Sequence, residues 1–306
     1  MLQKSLPVWI VKLIAFWYTK QMVMIRWGSA VSNSFNVSNG IKQGGLLSPY
    51  LFNLYVDDLS CRLNDSGVGC MAGITFVNHL SYADDMVLIA PSRRALQALL
   101  NICSIYAYAH DILYNTEKSF CMVCWPKKFL FKFSPIFYLQ SDALLYVDSY
   151  KYLGVMMNNN LTDDEEICTK IRGIYATGNM VIRKFAKCDM NCKILMFKTF
   201  FSSVYACGLW CSYKVITYSK IKVAHNDIFR SLMNVLREES ASTLFAQHHV
   251  NNLDVVLRKC YYSLMCRVNS SDNIIVSALV NSQVKVHSRL WHRWGLALGR
   301  DMVENG

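Results

Sequence analysis

Two adjacent aspartates, Asp84 and Asp85, are the residues whose type and spacing most directly suggest chemistry. Apolar, β-like segments at residues 80–82 and 86–90 flank them, so strands should hold the pair rigidly at a tight turn. Two carboxylates at one turn are costly unless a cation neutralises them, and hard oxygen ligands suit Mg²⁺. The pattern therefore predicts a metal site, and a solvent-exposed Asp-Asp hairpin turn is the open alternative.

A second candidate segment is the glycine-rich stretch at residues 39–45, which precedes Ser48-Pro49. Glycine permits backbone conformations that other residues avoid, so this stretch is predicted to be a loop. Serine followed by proline is typical of a helix start, with Ser48 as the N-cap. We expect the helix to continue to about Leu63.

The elements around these segments are short and mixed. A helix is predicted over residues 7–20, and residues 22–27 and 35–37 form a predicted hairpin around a turn at 28–33. Further strands are predicted at residues 70–77, 80–90, 119–125 and 152–157. Ser92 should cap a helix with one apolar face. Residues 1–157 are therefore predicted to be an α+β domain.

The pattern changes at Thr162, where Thr162-Asp163-Asp164-Glu165 has the form of a helix capping box. A long amphipathic helix is expected behind it, followed by helices that include residues 195–213 and 221–236. We predict a helical domain over residues 158–270 and a C-terminal extension over 271–306.

The composition narrows the class of protein. The hydrophobic fraction of 53% is enough for a folded core, and the net charge of +11 suits a polyanionic partner or a solvated basic surface. Twelve scattered cysteines favour a reducing compartment. Two apolar runs, at residues 8–18 and 199–213, are shorter than the roughly 20 residues of a membrane span, so buried helices explain them better than a membrane protein does.

Four segments together resemble reverse transcriptases, and most closely those of non-LTR, LINE-type retrotransposons. Tyr82-Ala83-Asp84-Asp85 resembles the Tyr-x-Asp-Asp box, and residues 40–52 resemble the loop-helix box upstream of it. Asn115-Thr116-Glu117-Lys118-Ser119 resembles the lysine-bearing segment, and Lys151-Tyr152-Leu153-Gly154-Val155 resembles the primer grip. The resemblance extends diffusely to about residue 270.

The resemblance implies a right-hand polymerase that copies an RNA template from a DNA primer with deoxynucleoside triphosphates. Residues 1–157 would be part of a palm, a mixed or antiparallel sheet with helices, and residues 158–270 a thumb-like domain. Two Mg²⁺ ions would be held by Asp84 as principal ligand and Asp85 as supporting ligand. Such an enzyme is expected inside the cell, in nucleus or cytoplasm, and not in a membrane.

The resemblance also implies roles for the glycine loop and its neighbours. Gly40, Gln43 and Gly44 would approach the template and the incoming nucleotide, although a plain helix-entry loop also explains them. Tyr82 would pack under the primer terminus or fill the core of the sheet. Lys118 would contact the departing phosphate or be an ordinary solvated lysine.

The primer grip would be formed by Tyr152, Leu153 and Gly154. Near the end of the long helix, Arg183, Lys184 and Lys187 would contact the duplex backbone, or simply favour the helix C-terminus.

The sequence departs from the family pattern in one respect. Reverse transcriptases should carry another metal-binding aspartate on a strand before the glycine loop, yet residues 1–56 contain no Asp or Glu. The fingers and the first palm strand are therefore expected to be missing, and catalysis by this chain alone is expected to be severely impaired. A non-catalytic nucleic-acid-binding remnant of such a polymerase is the alternative.

Overall fold

A computed structural model describes residues 6–37, 40, 42–124, 135–282 and 288–299. The chain divides into two compact units, one of residues 1–70 and 77–112 and the other of residues 71–76 and 113–306. The described strands all end by Asn158, and helices with their connections follow. This mixture agrees with the predicted α+β class, whereas the predicted domain limits at 157 and 270 stay predictions.

The first unit begins with helix α1, Val8–Thr19, directly after Pro7 as predicted. Two nested antiparallel pairs then form the predicted hairpin: β1 (Met22–Val23) with β4 (Phe35–Asn36), and β2 (Arg26–Trp27) with β3 (Ala30–Val31). The assignment of residues 30–31 to the turn is wrong. The chain already reverses at Gly28, whose φ of +61° lies in the left-handed region.

Helix α2 spans Ser48–Asp65, close to its predicted limits. The predicted capping role of Ser48 is wrong, because Leu47 is the N-cap and Ser48 is the first helical residue. The Ser48 hydroxyl instead donates to the Lys42 carbonyl oxygen at 2.6 Å. The serine therefore closes the preceding loop rather than satisfying a helix N–H.

Helix α3 spans Arg93–Ala109, and Ser92 caps it as predicted, its hydroxyl accepting from the Ala95 N–H at 3.3 Å. Between α2 and α3 lie four short strands: β5 (Cys70–Ala72), β6 (Thr75–Val77), β7 (His79–Tyr82) and β8 (Asp85–Leu88). Residues 70–77 are therefore not one strand. Gly73 has a φ of +66°, which allows a chain reversal within the predicted strand.

Beyond Ile112, the described residues contain six strands: β9 (Phe120–Cys121), β10 (Tyr138–Leu139), β11 (Asp142–Ala143), β12 (Leu145–Tyr146), β13 (Ser149–Tyr152) and β14 (Val155–Asn158). Strand β9 pairs in parallel with β12, whereas β10–β11 and β13–β14 are antiparallel pairs. The prediction of one strand over residues 152–157 is wrong, because a turn at Leu153-Gly154 divides it. Trp125, at the end of the predicted strand 119–125, lies outside the described residues.

The described helices of the second unit are α4 (Asp164–Phe185), α5 (Met190–Phe201), α6 (Val215–Met233), α7 (Ala241–Gln247), α8 (Leu253–Asn269), α9 (Ile274–Asn281) and α10 (Arg289–Leu298). The predicted helix over residues 195–213 is wrong beyond Phe201. The predicted capping box is also wrong in detail, because the N-cap of α4 is Asp163. Its carboxylate accepts from the backbone N–H groups of Cys211 and Ser212 at 2.7 and 2.6 Å.

The core of the second unit forms where α4 packs on α6, and the neighbouring helices complete it. Gly178 in α4 allows this close approach, since a Cβ there would lie 2.3 Å from Cδ1 of Ile228. Large side chains that are almost fully buried fill the cluster, among them Phe197, Phe229 and Trp294. These helices form a well-packed body rather than a loose appendage.

All twelve cysteines are free thiols. In the described ranges, every helix is too short or too polar to cross a membrane.

Candidate active site

The carboxylates of Asp84 and Asp85 lie at the tip of the β7–β8 hairpin. Tyr82 pairs with Asp85 across the turn, and Ala83 in the turn has a φ of +52°. The left-handed conformation costs a non-glycine residue about 1 kcal/mol, so the surrounding structure must hold this turn. Both aspartates are exposed, and Tyr82 is 65% exposed, which rules out the reading of Tyr82 as a core residue.

Asn78 anchors the base of this hairpin. Its side chain is fully buried, and its Nδ2 donates to the carbonyl oxygens of Leu63 and Val68 at 2.5 and 2.9 Å. Its own carbonyl oxygen accepts from the Ile89 N–H at 2.8 Å, which closes the base of the hairpin. A buried amide with satisfied donors fixes orientation as well as contributing stability. The hairpin is thereby tied to the C-terminal end of α2.

His79 adds to this anchor, because its Nδ1 lies 2.8 Å from Oδ1 of Asn78. Burial lowers the pKa of His79, which favours the neutral ring. A neutral His79 can donate from Nδ1 to the amide oxygen, and this bond sets the orientation of the Asn78 amide. His79 pairs with Leu88 at the end of the hairpin remote from the carboxylates.

Helices α2 and α3 form the support behind the anchor. Leu63 and Leu99 are fully buried, and the Tyr106 hydroxyl donates to the Tyr55 carbonyl oxygen at 2.5 Å. The anchor therefore attaches to a packed helix pair, not to a surface loop. The tip can be exposed while the base stays fixed.

The glycine loop in the same unit is tightly folded where it meets α2. Gly40 and Gly44 have φ values of +87° and +77°, and a Cβ at either would meet nothing within 4 Å. Gly45 differs, since a Cβ there would lie 2.6 Å from Oγ of Ser48 and 3.1 Å from the Lys42 carbonyl oxygen. Gln43 and Gly44 are exposed, so their polar groups are accessible to a ligand.

Lys118 belongs to the second unit, where it ends a 3₁₀ turn at Thr116–Lys118. Its backbone N–H donates to Oδ1 of Asn115 at 3.2 Å, and its side chain is exposed. Thr116 fixes the same turn by donating from its hydroxyl to Asp142 at 2.7 Å. The turn therefore holds the backbone of Lys118 and leaves the ammonium group accessible.

Tyr152, Leu153 and Gly154 form the turn of the β13–β14 hairpin. Leu153 and Gly154 have φ values of +45° and +82°, and Tyr152 pairs with Val155 across the turn. Two successive residues with positive φ are the mark of a type I′ hairpin. Leucine is an unfavourable residue at the first of these positions.

Helix α4 supports this hairpin through Glu166, whose side chain is 1% exposed. One carboxylate oxygen of Glu166 accepts from the Met156 N–H at 2.8 Å, and the other lies 2.8 Å from Nζ of Lys170. Nζ of Lys170 is also 3.5 Å from the Gly154 carbonyl oxygen. A buried carboxylate is thus neutralised by a lysine that also faces the turn.

The donor chemistry of the first hairpin fits a divalent cation in part. Asp84 and Asp85 offer accessible carboxylate oxygens, the ligand type that Mg²⁺ prefers. Within the described residues, however, no three His, Cys, Asp or Glu side chains come together as a metal-binding group. The two aspartates can therefore supply only part of a ligand set.

Sequence reasoning missed several residues that this geometry makes important. Gly45 could have been noticed from the Gly44-Gly45 pair, because paired glycines often mark a close approach. Asn78 is a lone amide in an apolar stretch, a weak signal. Glu166 and Lys170 form an ordinary i, i+4 ion pair on one helix. Their contacts with the hairpin, and that of Tyr205, gave no signal, since the hairpin residues lie 10 to 52 positions away along the chain.

Residues 3–157, just over half of the chain, match the family described as reverse transcriptase (RNA-dependent DNA polymerase). The match contains the β7–β8 hairpin, the glycine loop, Lys118 and the β13–β14 hairpin up to Met157. The chain therefore belongs to the reverse transcriptase family.

Curated relatives specify the branch of this family. The chain is 35% identical over 135 residues to the Pol polyprotein of the retrotransposable element R2DM of Drosophila melanogaster, a stretch of 40% of this chain and 12% of the relative. It is 34% identical over 92 residues (30% of this chain, 15% of the relative) to an R2 element Pol polyprotein of Popillia japonica.

A third relative extends the similarity further along the chain. The probable RNA-directed DNA polymerase of the Drosophila melanogaster X-element is 24% identical over 221 residues, or 68% of this chain and 23% of the relative. The chain thus spans less than a quarter of the length of each of these relatives. It carries a reverse transcriptase domain of the non-LTR retrotransposon type.

Proposed function

We propose that the chain is the palm and thumb portion of an RNA-directed DNA polymerase from a non-LTR retrotransposon. It would extend a DNA primer on an RNA template with deoxynucleoside triphosphates. The observation that carries this proposal is the exposed Asp84-Asp85 tip of the β7–β8 hairpin. Asn78 anchors the base of this hairpin, and the whole hairpin lies within the residues that match the family.

Asp84 is proposed as the principal ligand of two Mg²⁺ ions and Asp85 as the supporting one. When bound, the ions would activate the primer 3′-hydroxyl and neutralise the charge on the leaving pyrophosphate. The contribution of the chain is to hold both carboxylates at a fixed tip. Electrostatic repulsion between the two carboxylates favours cation binding there.

The glycine loop is proposed to contact the template and the incoming nucleotide. Gly40 and Gly44 leave open space beside the backbone, and Gln43 is exposed with both donor and acceptor groups. Tyr82, exposed beside the carboxylates, would pack under the primer terminus. The accessible ammonium group of Lys118 would contact the triphosphate.

The second unit is proposed to hold the primer and the duplex. The β13–β14 turn at Tyr152, Leu153 and Gly154 would form the primer grip. Helices α4 to α8 would form the thumb, with Arg183 and Lys184 in the last turn of α4 facing phosphates. The net charge of +11 supports such a polyanionic partner.

A second candidate function is nucleic-acid binding without synthesis. Residues 1–56 contain no carboxylate, and Asp84 and Asp85 supply only part of a metal ligand set. Synthesis by this chain alone is therefore expected to be weak. The basic surface would retain primer–template duplex in either case.

Primer extension on an RNA template with Mg²⁺ separates these functions. The chain is compared with Asp84→Asn, which removes one charge, and with Asp65→Asn, a matched change at an exposed aspartate at the end of α2. If Asp84→Asn abolishes DNA synthesis and Asp65→Asn leaves it intact, the result supports the polymerase function. Duplex binding without synthesis supports the binding remnant, and failure to bind duplex refutes both.

A further inference from the structure

The β13–β14 turn adopts a conformation that its own residues do not favour. Leu153 occupies the left-handed region at φ +45°, a position where Asn, Asp or Gly is usual. Leu153 is 38% exposed, so burial of its side chain does not explain the conformation. Contacts from elsewhere in the second unit must hold this turn.

Tyr205 makes the most direct of these contacts. Its hydroxyl donates to the Leu153 carbonyl oxygen at 3.0 Å. Its ring lies against Gly154, where an added Cβ would be 3.2 Å from Cε1 of the tyrosine. Gly154 therefore provides both the positive φ and the space for the ring.

Lys170 and Glu166 hold the same turn from α4. Nζ of Lys170 lies 5.3 Å from the centre of the Tyr205 ring, within the range of a cation–π contact, and 3.5 Å from the Gly154 carbonyl oxygen. Glu166 pairs with Lys170 and accepts from the Met156 N–H, both at 2.8 Å. The carbonyl groups of both central turn residues thus face donors from these side chains.

We propose that Glu166, Lys170 and Tyr205 are positioning residues that fix the primer-grip turn in the geometry that receives the primer terminus. This inference rests on the proposed function. All three residues follow the family match, which ends at residue 157. They act through the turn of the hairpin, and the turn contacts the primer.

Tyr205→Phe is the sharpest test, because it removes the hydroxyl that donates to Leu153 and keeps the ring on Gly154. Tyr205 is 64% exposed, so the change leaves no hole in the core. Tyr108→Phe, at a 67% exposed tyrosine of α3, is the matched control. Lys170→Met is a second variant that keeps the apolar stem and removes the ammonium group. It also leaves the buried Glu166 carboxylate without its counter-ion, so Tyr205→Phe is the decisive change.

The probe is a primer–template duplex with 2-aminopurine at the primer 3′ end. Its fluorescence reports the position of the terminus, and the same titration gives the dissociation constant. We expect Tyr205→Phe and Lys170→Met to reduce the fluorescence change and, where the chain synthesises DNA, to lower kcat about fivefold, the scale of one net hydrogen bond. Duplex affinity should stay within about twofold of the unmodified chain, since the basic surface is intact.

The outcomes separate this inference from the proposed function. If the unmodified chain binds no duplex, the proposed function fails and the inference fails with it. If the unmodified chain binds duplex, and both variants show the same fluorescence change and the same kcat as the unmodified chain, the inference is overturned while the proposed function stands. An equal loss in Tyr108→Phe would also overturn it, because the effect would then not be specific to the turn.

Discussion

Replacing Asn78 with alanine should destabilise the unit that carries Asp84 and Asp85. The change removes the Nδ2 group that donates to Leu63 and Val68. The Leu63 carbonyl oxygen keeps a second donor, the Ser66 hydroxyl at 2.6 Å, so the loss there is a net hydrogen bond of about 1 kcal/mol. The Val68 carbonyl oxygen loses its side-chain donor, which costs roughly 1–2 kcal/mol for a half-buried group.

The two terms predict a loss of about 2–3 kcal/mol in the free energy of unfolding. Urea denaturation followed by circular dichroism measures it, with Asn53→Ala on the exposed face of α2 as the matched control. The control should change the free energy by no more than about 0.5 kcal/mol. If Asn78→Ala is as stable as Asn53→Ala, Asn78 does not anchor the hairpin and the argument for a fixed carboxylate tip is refuted.

Two further predictions concern the helical core. Gly178→Ala should lower the free energy of unfolding by about 1–3 kcal/mol, because the new methyl group meets buried Ile228. Gly173→Ala in the same helix should raise it by about 0.5–1 kcal/mol, because a Cβ there meets nothing within 4 Å. Urea midpoints measure both, and equal shifts would contradict close packing at Gly178. Burial lowers the pKa of His225 to about 4, below its unfolded value of about 6.5. The unfolded chain therefore binds a proton more tightly than the folded chain, and the free energy of unfolding should fall by about 3 kcal/mol as the pH falls from 6.5 to 4. His225→Gln should flatten this part of the stability–pH curve, and an unchanged slope would assign the dependence to other groups.

The Asp84-Asp85 hairpin could be predicted from sequence because its signals are local. Apolar residues on both sides of two polar ones specify strands and a turn within a dozen positions. The structure confirms a hairpin with both aspartates at its tip. Their role as metal ligands stays a prediction, since it rests on the family resemblance and on carboxylate chemistry.

Two of the elements that sequence reasoning placed wrongly are decided by distant partners. Residues 202–213 look helical because they are uncharged and apolar, yet their backbone is held by side chains far along the chain. The Trp294 indole donates to the Gly208 carbonyl oxygen at 3.0 Å, and the Tyr261 hydroxyl donates to that of Trp210 at 3.1 Å. These tertiary bonds satisfy carbonyl groups that a helix would otherwise satisfy.

The capping box failed for the same reason. The Thr162 N–H donates to Oδ1 of Asn158, and the Asp163 carboxylate binds Cys211 and Ser212, 48 and 49 positions away. Burial raises the pKa of Asp163 despite these bonds. A carboxylate used for tertiary contact cannot cap its own helix, and local sequence does not reveal which use prevails.

The β7–β8 and β13–β14 hairpins, one in each unit, are held by the same physical arrangement. Each has a non-glycine residue with positive φ in its turn, Ala83 in one and Leu153 in the other, and each is held by a buried polar side chain, Asn78 or Glu166. The tip of each turn is exposed, so packing there cannot fix its backbone conformation. Contacts at the base or the flank of the hairpin must fix that conformation instead. Changes at the anchors should therefore impair primer use or metal binding although they leave every exposed site residue in place.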